Sequence, residues 1–290
     1  MGRRLIECVP NFSEGRDLDK VDAIAAAIAA PGVSLLARES DVDHNRSVLT
    51  LAGEPAAVVE AAFRAVAKAV ELIDLRQHTG VHPRIGAADV VPLVPVHGVT
   101  LEECALLAHQ LGERIAGELG VPVYFYEAAA RRVECRRLEA VRRGGLQPDL
   151  GGPGHHPTAG AVVVGARKFL LAFNINLASA DVGIAREIAR KIRASSGGLP
   201  HVKAVGVLLA SRNLAQVSMN LTDFEVTPLD AVFEAVRVEA ARHGVEIAGS
   251  EIIGLMPAAA LGMTAARYLQ CENFRPGSVL ESRLLSNLID

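Results

Sequence analysis

Hydrophobic residues recur along this chain with two spacings, and their order predicts the secondary structure. Short apolar runs typical of strands lie at 5–9, 33–37, 47–52 and 87–96. Between them, apolar residues three or four apart predict one helix beginning near Asp17 and another beginning at Pro55. The first part of the chain therefore predicts the order strand, helix, strand, strand, helix, strand.

The second half repeats this order. Strands are predicted at 169–175, 204–209, 215–221 and 247–255. One helix begins at Asp181, and for the other Thr227 is the expected N-cap, with Pro228 at the first helical position. Two βαββαβ units in tandem predict an α+β fold of two ferredoxin-like subdomains, with antiparallel or mixed sheets covered by helices.

Additional elements are predicted between the two repeats. A capping box from Thr100 to Glu103 opens a helix, and an aromatic strand at 121–126 and a basic helix at 128–143 follow it. Residues 144–160 lack periodicity and are rich in glycine and proline. Loops longer than about 12 residues inside compact domains are usually functional or disordered. The loop is thus open to interpretation as a lid, as a ligand-cradling segment or as a plain surface loop.

Composition excludes several classes of function. Half of the 290 residues are hydrophobic and 22% are charged, which favours a compact globular protein. A net charge of -3 gives no general attraction to nucleic acid or anionic lipid, and aromatic residues at 4% with no tryptophan argue against an RNA-binding module. The start of the chain lacks the apolar core of a secretory signal and no apolar run reaches about 20 residues, so we expect a cytoplasmic protein without membrane contact. The four cysteines lack metal-ligand spacing and are expected to be reduced and buried.

The polar segment 78–89 is the strongest candidate for chemistry. His82 is followed by the rigid Pro83, and an imidazole near neutrality suits proton transfer. The alternative is a structural histidine that packs against or caps the turn. His78 lies four residues earlier, as in a helical metal site, but Gly80 and Pro83 disfavour a helix there, so no metal is predicted.

Cationic residues recur beside predicted strand ends. They are Arg46, Arg84, Arg167 and Lys168. Guanidinium groups bind carboxylates with two hydrogen bonds, so together these residues suggest an anionic substrate, although each alone is equally typical of a solvated turn. The polar segment 11–15, which begins with Asn11, follows the first strand but has no phosphate-loop spacing.

Several long segments resemble a known family, the folate-dependent formiminotransferases. They are ECVPNFSEG at 7–15, HPRIGA at 82–87, GARKFL at 165–170, AFNIN at 172–176 and NLAQVS at 213–218. They span nearly the whole chain. The resemblance implies transfer of the formimino group from N-formimino-L-glutamate to N5 of tetrahydrofolate, with tetrahydrofolate as co-substrate and no metal.

The resemblance also assigns residues. It implies that His82 is the general acid/base and that Glu39 holds the family's acidic position after the second strand. Together with Glu39, we expect Asn11 and the cations Arg46, Arg84, Arg167 and Lys168 to line the substrate cleft. The implied folate-binding residues are Gly151, Gly152, Pro153, Gly154, His155, His156, Pro157, Thr158, Ala159 and Gly160. We expect subdomains at 1–178, with the catalytic histidine and folate loop, and at 179–290, a ligand cleft or tunnel between them, and a homodimer.

Two alternative functions remain open at this stage. N-formylglutamate differs from the formimino donor by oxygen in place of nitrogen, and the sequence does not decide between them. A non-catalytic protein that binds folate or an anionic metabolite is the other alternative.

Overall fold

The structure is a computed structural model that describes residues 4–42, 44–80, 84–209, 212–262 and 268–286. Contacts divide the chain into two compact units, Met1–Arg167 and Lys168–Asp290. This division lies ahead of the boundary at 178/179 expected from the sequence, because the strand at Leu171–Leu177 hydrogen-bonds within the second sheet. The predicted fold class is confirmed.

Helices and strands alternate in the first unit as the hydrophobic spacing predicts. Its strands are β1 Leu5–Cys8, β2 Asn11–Phe12, β3 Val33–Asp41, β4 Arg46–Gly53, β5 Ala88–His97, β6 Val123–Glu127 and β7 Val162–Ala166. Its helices are α1 Leu18–Ala27, α2 Pro55–Leu72, α3 Leu101–Leu119 and α4 Leu138–Arg142. The expected capping box is present at the start of α3, where the Thr100 side chain accepts from the Glu103 N–H and the Glu103 side chain accepts from the Thr100 N–H.

The first sheet has the ferredoxin-like order with an extension. Strand β4 lies between β3 and the pair β1 and β2, and β5 lies on the other side of that pair. These neighbours are antiparallel, whereas β5, β7 and β6 continue the sheet as parallel neighbours. Apolar side chains of α1, α2 and α3 pack on one face of this sheet. The opposite face carries a smaller apolar cluster and the polar residues of the candidate site.

The basic helix expected at 128–143 is wrong in extent. Residues Val133–Arg136 form a 3₁₀ turn, and α4 begins only at Leu138 after an extended Arg137. Side-chain contacts outweigh helix propensity here, because Cys135 is buried in the smaller cluster and Arg132 pairs with Asp149.

The second unit repeats the ferredoxin-like arrangement. Its elements are β8 Leu171–Leu177, α5 Val182–Ile192, β9 Val202–Leu209, β10 Leu214–Leu221, α6 Leu229–Arg242, β11 Ile247–Ile253, α7 Ala258–Gly262 and α8 Leu280–Ser286. The sheet order is β11, β8, β10, β9, and all neighbours are antiparallel. The expected cap of α6 is wrong by one residue, since Pro228 is the N-cap and the buried Thr227 hydroxyl donates to Pro200 O at 2.6 Å.

The cysteines follow the expected pattern only in part. Cys8, Cys104 and Cys135 are buried, whereas Cys271 is half-buried. Burial raises the pKa of the Cys8 and Cys104 thiols, so both stay protonated at neutral pH. Within the described ranges, no helix has both the length and the apolar character needed to cross a membrane.

Candidate active site

The segment that carries the predicted acid/base histidine is held on both sides by other parts of the first unit. His82 lies outside the described residues, together with Val81 and Pro83. Residues 78–80 precede this gap and residues 84–87 follow it. The contacts of these two flanks define what the structure shows of the site.

Asn45 connects the flank before His82 to the turn that precedes α1. Its Nδ2 donates to Thr79 O at 3.0 Å, and its Oδ1 accepts from the Gly15 N–H at 2.9 Å. Its main-chain oxygen lies 3.0 Å from Nε2 of His78. Asn45 is only 6% exposed and adopts φ +48°, a left-handed conformation that asparagine tolerates better than most residues. Sequence reasoning missed this residue, whose only signal is its place beside Arg46.

Glu14 immobilises the turn to which Asn45 binds. Its Oε1 accepts from the main-chain N–H groups of Gly15, Arg16 and Asp17, each at 3.0 Å. The Ser47 hydroxyl donates to Glu14 O at 2.5 Å. A buried carboxylate that receives three N–H groups fixes the main chain around it. Segment 11–15 therefore comprises β2 and the start of a rigid turn, and Glu14 is a second residue that sequence reasoning did not single out.

His78 is hydrogen-bonded to Asn45 and its imidazole is uncharged at neutral pH. Because a carbonyl oxygen only accepts, the contact with Asn45 assigns the proton to Nε2. The other nitrogen, Nδ1, is buried and has no hydrogen-bond partner among the described residues. Burial lowers the pKa of His78, with a smaller lowering by Arg84, although the bond to Asn45 opposes the shift.

We expect the lowered pKa of His78 to make the protein less stable in mild acid. The unfolded chain takes up this proton at about pH 6.5, before the folded chain does. The contribution of neutral His78 to the free energy of unfolding is thus complete above about pH 6.5. It is lost as the pH falls through the lower pKa of His78 in the folded protein. Urea unfolding at several pH values should show a smaller loss toward pH 5 for His78→Gln than for the wild type. The exposed His97→Gln is the control, and equal losses in all three proteins would contradict the prediction.

Asp89 holds the flank that follows His82. Its Oδ1 accepts from the Ile85 N–H at 2.8 Å, and its Oδ2 pairs with Nη2 of Arg142. Asp89 is 1% exposed. Arg84 connects the two flanks, because its Nη2 donates to Gly80 O at 2.7 Å. Asp89 could have been found from the sequence, since an acidic residue inside an apolar strand requires a buried partner.

The predicted folate segment lies against the same flank. Residues 156–160 form a tight turn, in which His156 and Gly160 exchange main-chain hydrogen bonds of 2.7 and 3.0 Å and Nδ1 of His156 accepts from the Ala159 N–H at 3.1 Å. This turn accepts a hydrogen bond from the Ala87 N–H, and Ile85 O accepts from the Ala161 N–H. Residues 151–155 are exposed. The structure therefore brings the carboxyl-terminal half of this segment beside the residues that follow His82.

Arg46, Asn11 and Glu39 share one region of the sheet face opposite α1, α2 and α3. Asn11 and Glu39 both pair with Val48 of β4, from opposite sides, and paired residues point to the same face. Arg46 precedes Val48 by two residues and so lies on that face too. Burial lowers the pKa of Arg46, as does nearby Arg142, while Asp89 opposes the shift. The Arg46 guanidinium therefore stays charged in a partly desolvated position.

The two remaining predicted cations have other side-chain partners. Arg167 hydrogen-bonds the hydroxyl of the buried Tyr126, whose pKa burial raises to about 12. Lys168 belongs to the second unit, where its Nζ lies 2.7 Å from Asp223 and 3.3 Å from Glu225. Within the ranges that the structure describes, no group of three or more His, Cys, Asp or Glu side chains could hold a metal ion.

Comparison with known proteins gives consistent matches over nearly the whole chain. The family model "Formiminotransferase domain, N-terminal subdomain" matches residues 5–167, and "Formiminotransferase domain" matches residues 172–283. The glutamate formimidoyltransferases of Streptococcus pyogenes and Thermoplasma acidophilum are 46% and 45% identical, each over 97% of this chain and over 99% and 97% of their own lengths. The formimidoyltransferase-cyclodeaminase of Sus scrofa is 46% identical over 93% of this chain and 53% of its own length.

Proposed function

Since the chain belongs to the formiminotransferase family, we propose that it transfers the formimino group from N-formimino-L-glutamate to N5 of tetrahydrofolate. The products are 5-formiminotetrahydrofolate and L-glutamate. The observation that carries this proposal is the match of both family domains and of two nearly full-length relatives named for this reaction. The approach of segment 156–160 to the flank after His82 supports it from the structure.

The proposed reaction needs one proton to move between two nitrogens. N5 of tetrahydrofolate forms a bond to the amidine carbon of the donor, which gives a tetrahedral intermediate. The bond from that carbon to the glutamate nitrogen then breaks, and this nitrogen must be protonated because an amide anion is too poor a leaving group. His82 takes the proton from N5 and delivers it to the glutamate nitrogen, as general base and then as general acid. Protons and charge balance without a metal.

Two arginines of the first unit carry the positive charges that would pair with the carboxylates of the donor. Arg46 is partly desolvated, which strengthens its pairing with an anion. Arg84 lies two residues after His82, so it brings a fixed positive charge close to the reacting groups. We propose that these two arginines orient glutamate and that residues 151–160 contact the folate.

We expect Arg84→Ala to raise KM for the donor by about tenfold, because a charge-assisted hydrogen bond contributes roughly 1.5 kcal/mol or more. Steady-state kinetics with the donor varied and thermal unfolding of the same samples measure the effect. Arg64→Ala is a matched control, since Arg64 forms an exposed pair with Glu60 within α2. A lowered Tm with an unchanged KM would instead restrict Arg84 to its bond with Gly80.

One assay distinguishes the formimino donor from the formyl donor. Formation of the transferred product is followed with tetrahydrofolate and either N-formimino-L-glutamate or N-formylglutamate. We expect a kcat/KM for the formimino donor that exceeds the value for the formyl donor. A preference for N-formylglutamate would replace the proposed reaction with formyl transfer, and tight folate binding without either product would indicate a binding protein.

A further inference from the structure

Two buried polar side chains bind the main chain on either side of His82, one before it and one after it. Asn45 binds Thr79 O three residues before His82, and Asp89 binds the Ile85 N–H three residues after it. Both side chains are almost fully buried, with exposures of 6% and 1%. Their hydrogen bonds go to main-chain atoms, so they hold Thr79 and Ile85 independently of the side chains at those positions.

Asn45 is suited to this contact by both halves of its amide. The Oδ1 receives the Gly15 N–H from a turn that Glu14 already fixes, and the Nδ2 donates to Thr79 O. The amide therefore connects the rigid turn before α1 directly to the flank before His82. Its left-handed φ of +48° directs the main-chain oxygen to His78, which adds another bond to the same flank.

Asp89 connects the other flank to α4. One carboxylate oxygen holds the Ile85 N–H and the other pairs with Arg142, whose side chain is 17% exposed. A charge-assisted bond of this kind is stronger and more directional than a neutral one. The flank after His82 is thus fixed to a different part of the first unit from the flank before it.

We propose that Asn45 and Asp89 are positioning residues for the proton transfer assigned to His82, because they hold the main chain before and after it. This inference rests on the proposed function and extends it to residues that do not touch the substrates. A displacement of about 1 Å in a reacting group is enough to reduce a rate by up to about 10²-fold. A pair of buried polar residues with a purely structural role would change Tm without acting through His82.

A double-mutant cycle between Asn45 and His82 tests the proposal. Asn45→Gly keeps the left-handed main chain and the charge but removes both side-chain hydrogen bonds. We expect it to lower kcat of the folded enzyme about tenfold in the wild type and to have almost no effect in the His82→Ala background, because residues that act as one unit are not additive. The same factor in both backgrounds, or no effect in the wild type, would overturn the proposal.

The control uses the same substitution at another left-handed asparagine. Asn213 has φ +52° in the turn between β9 and β10, and Asn213→Gly should leave kcat unchanged. Should Asn45→Gly not fold, Asn45→Asp replaces it, since aspartate keeps the acceptor for Gly15 and loses the donor to Thr79. Asp89→Asn, run through the same cycle, tests the other end and should also lose its effect without His82.

A second measurement does not depend on turnover. The titration of the His82 imidazole is followed by NMR, with His82→Ala to assign its signal, in the wild type and in Asn45→Gly. We expect the midpoint to change in Asn45→Gly and to stay constant in Asn213→Gly. A changed midpoint in a protein that transfers no formimino group would contradict the proposed function and leave the positioning role standing, whereas an unchanged midpoint would overturn the positioning role.

Discussion

His82→Ala should lower kcat by about 10²- to 10⁴-fold, the contribution typical of a positioned general acid/base. The loss follows from the leaving group, because the glutamate nitrogen cannot depart without a proton. Binding of tetrahydrofolate should change little, since the imidazole acts in the transition state rather than in holding the pterin. Steady-state kinetics, a direct binding titration with tetrahydrofolate and thermal unfolding of the same protein measure the three quantities.

The control for this variant is His97→Ala, at the exposed end of β5. It removes an imidazole from the first unit without approaching segment 78–89 and should retain full turnover. Added imidazole should restore part of the activity of His82→Ala by replacing the missing proton carrier. An unchanged kcat in His82→Ala would reject His82 as the acid/base, and a lowered Tm as the only effect would favour the structural alternative.

The hydrophobic spacing was sufficient to predict most of the fold. Each expected strand of the two repeats is present within a few residues, and the helices begin at or next to the expected starts Asp17, Pro55 and Asp181. Strand order is not encoded in such spacing, so the position of β7 between β5 and β6 came only from the structure. The prediction of a helix at 128–143 was wrong because two contacts with residues distant in sequence outweigh the local helix propensity. They are the burial of Cys135 and the pair of Arg132 with Asp149.

Motifs in the sequence located the site but not its supports. The sequence identified the segment around His82 and the loop 151–160 as chemistry-bearing, and the structure places residues 156–160 beside 85–87. Asn45 was missed because it acts through main-chain atoms of two other segments, and Glu14 because it binds main-chain N–H groups of its own turn. Asp89 was also missed, although its place inside an apolar strand is a signal. A main-chain partner leaves no signature in the side-chain pattern, so only the structure reveals such contacts.

Gly160→Ala should lower the free energy of unfolding by about 3 kcal/mol. This is the largest loss of stability that we predict, although the substitution removes no side chain. Gly160 has φ +70°, and a Cβ there would lie 2.2 Å from Ile85 O and 2.8 Å from Cδ1 of Leu75. Its neighbour across the bridge, Gly86, is equally crowded, since a Cβ there would lie 1.8 Å from Ala161 O. The main chains of the two segments must separate to admit a methyl group. Urea unfolding measures the loss.

Gly152→Ala separates this crowding from main-chain strain. Gly152 lies in the same loop at φ +76°, and a Cβ there would meet no atom of the described residues within 4 Å beyond its own chain neighbours. It should therefore cost only the strain of a left-handed alanine, about 1 kcal/mol. Because Gly160 joins the predicted folate segment to the flank after His82, its variant should also lose turnover at temperatures where it remains folded. Equal losses of stability in the two variants would show that the close approach of the segments at Gly86 and Gly160 contributes nothing beyond the strain.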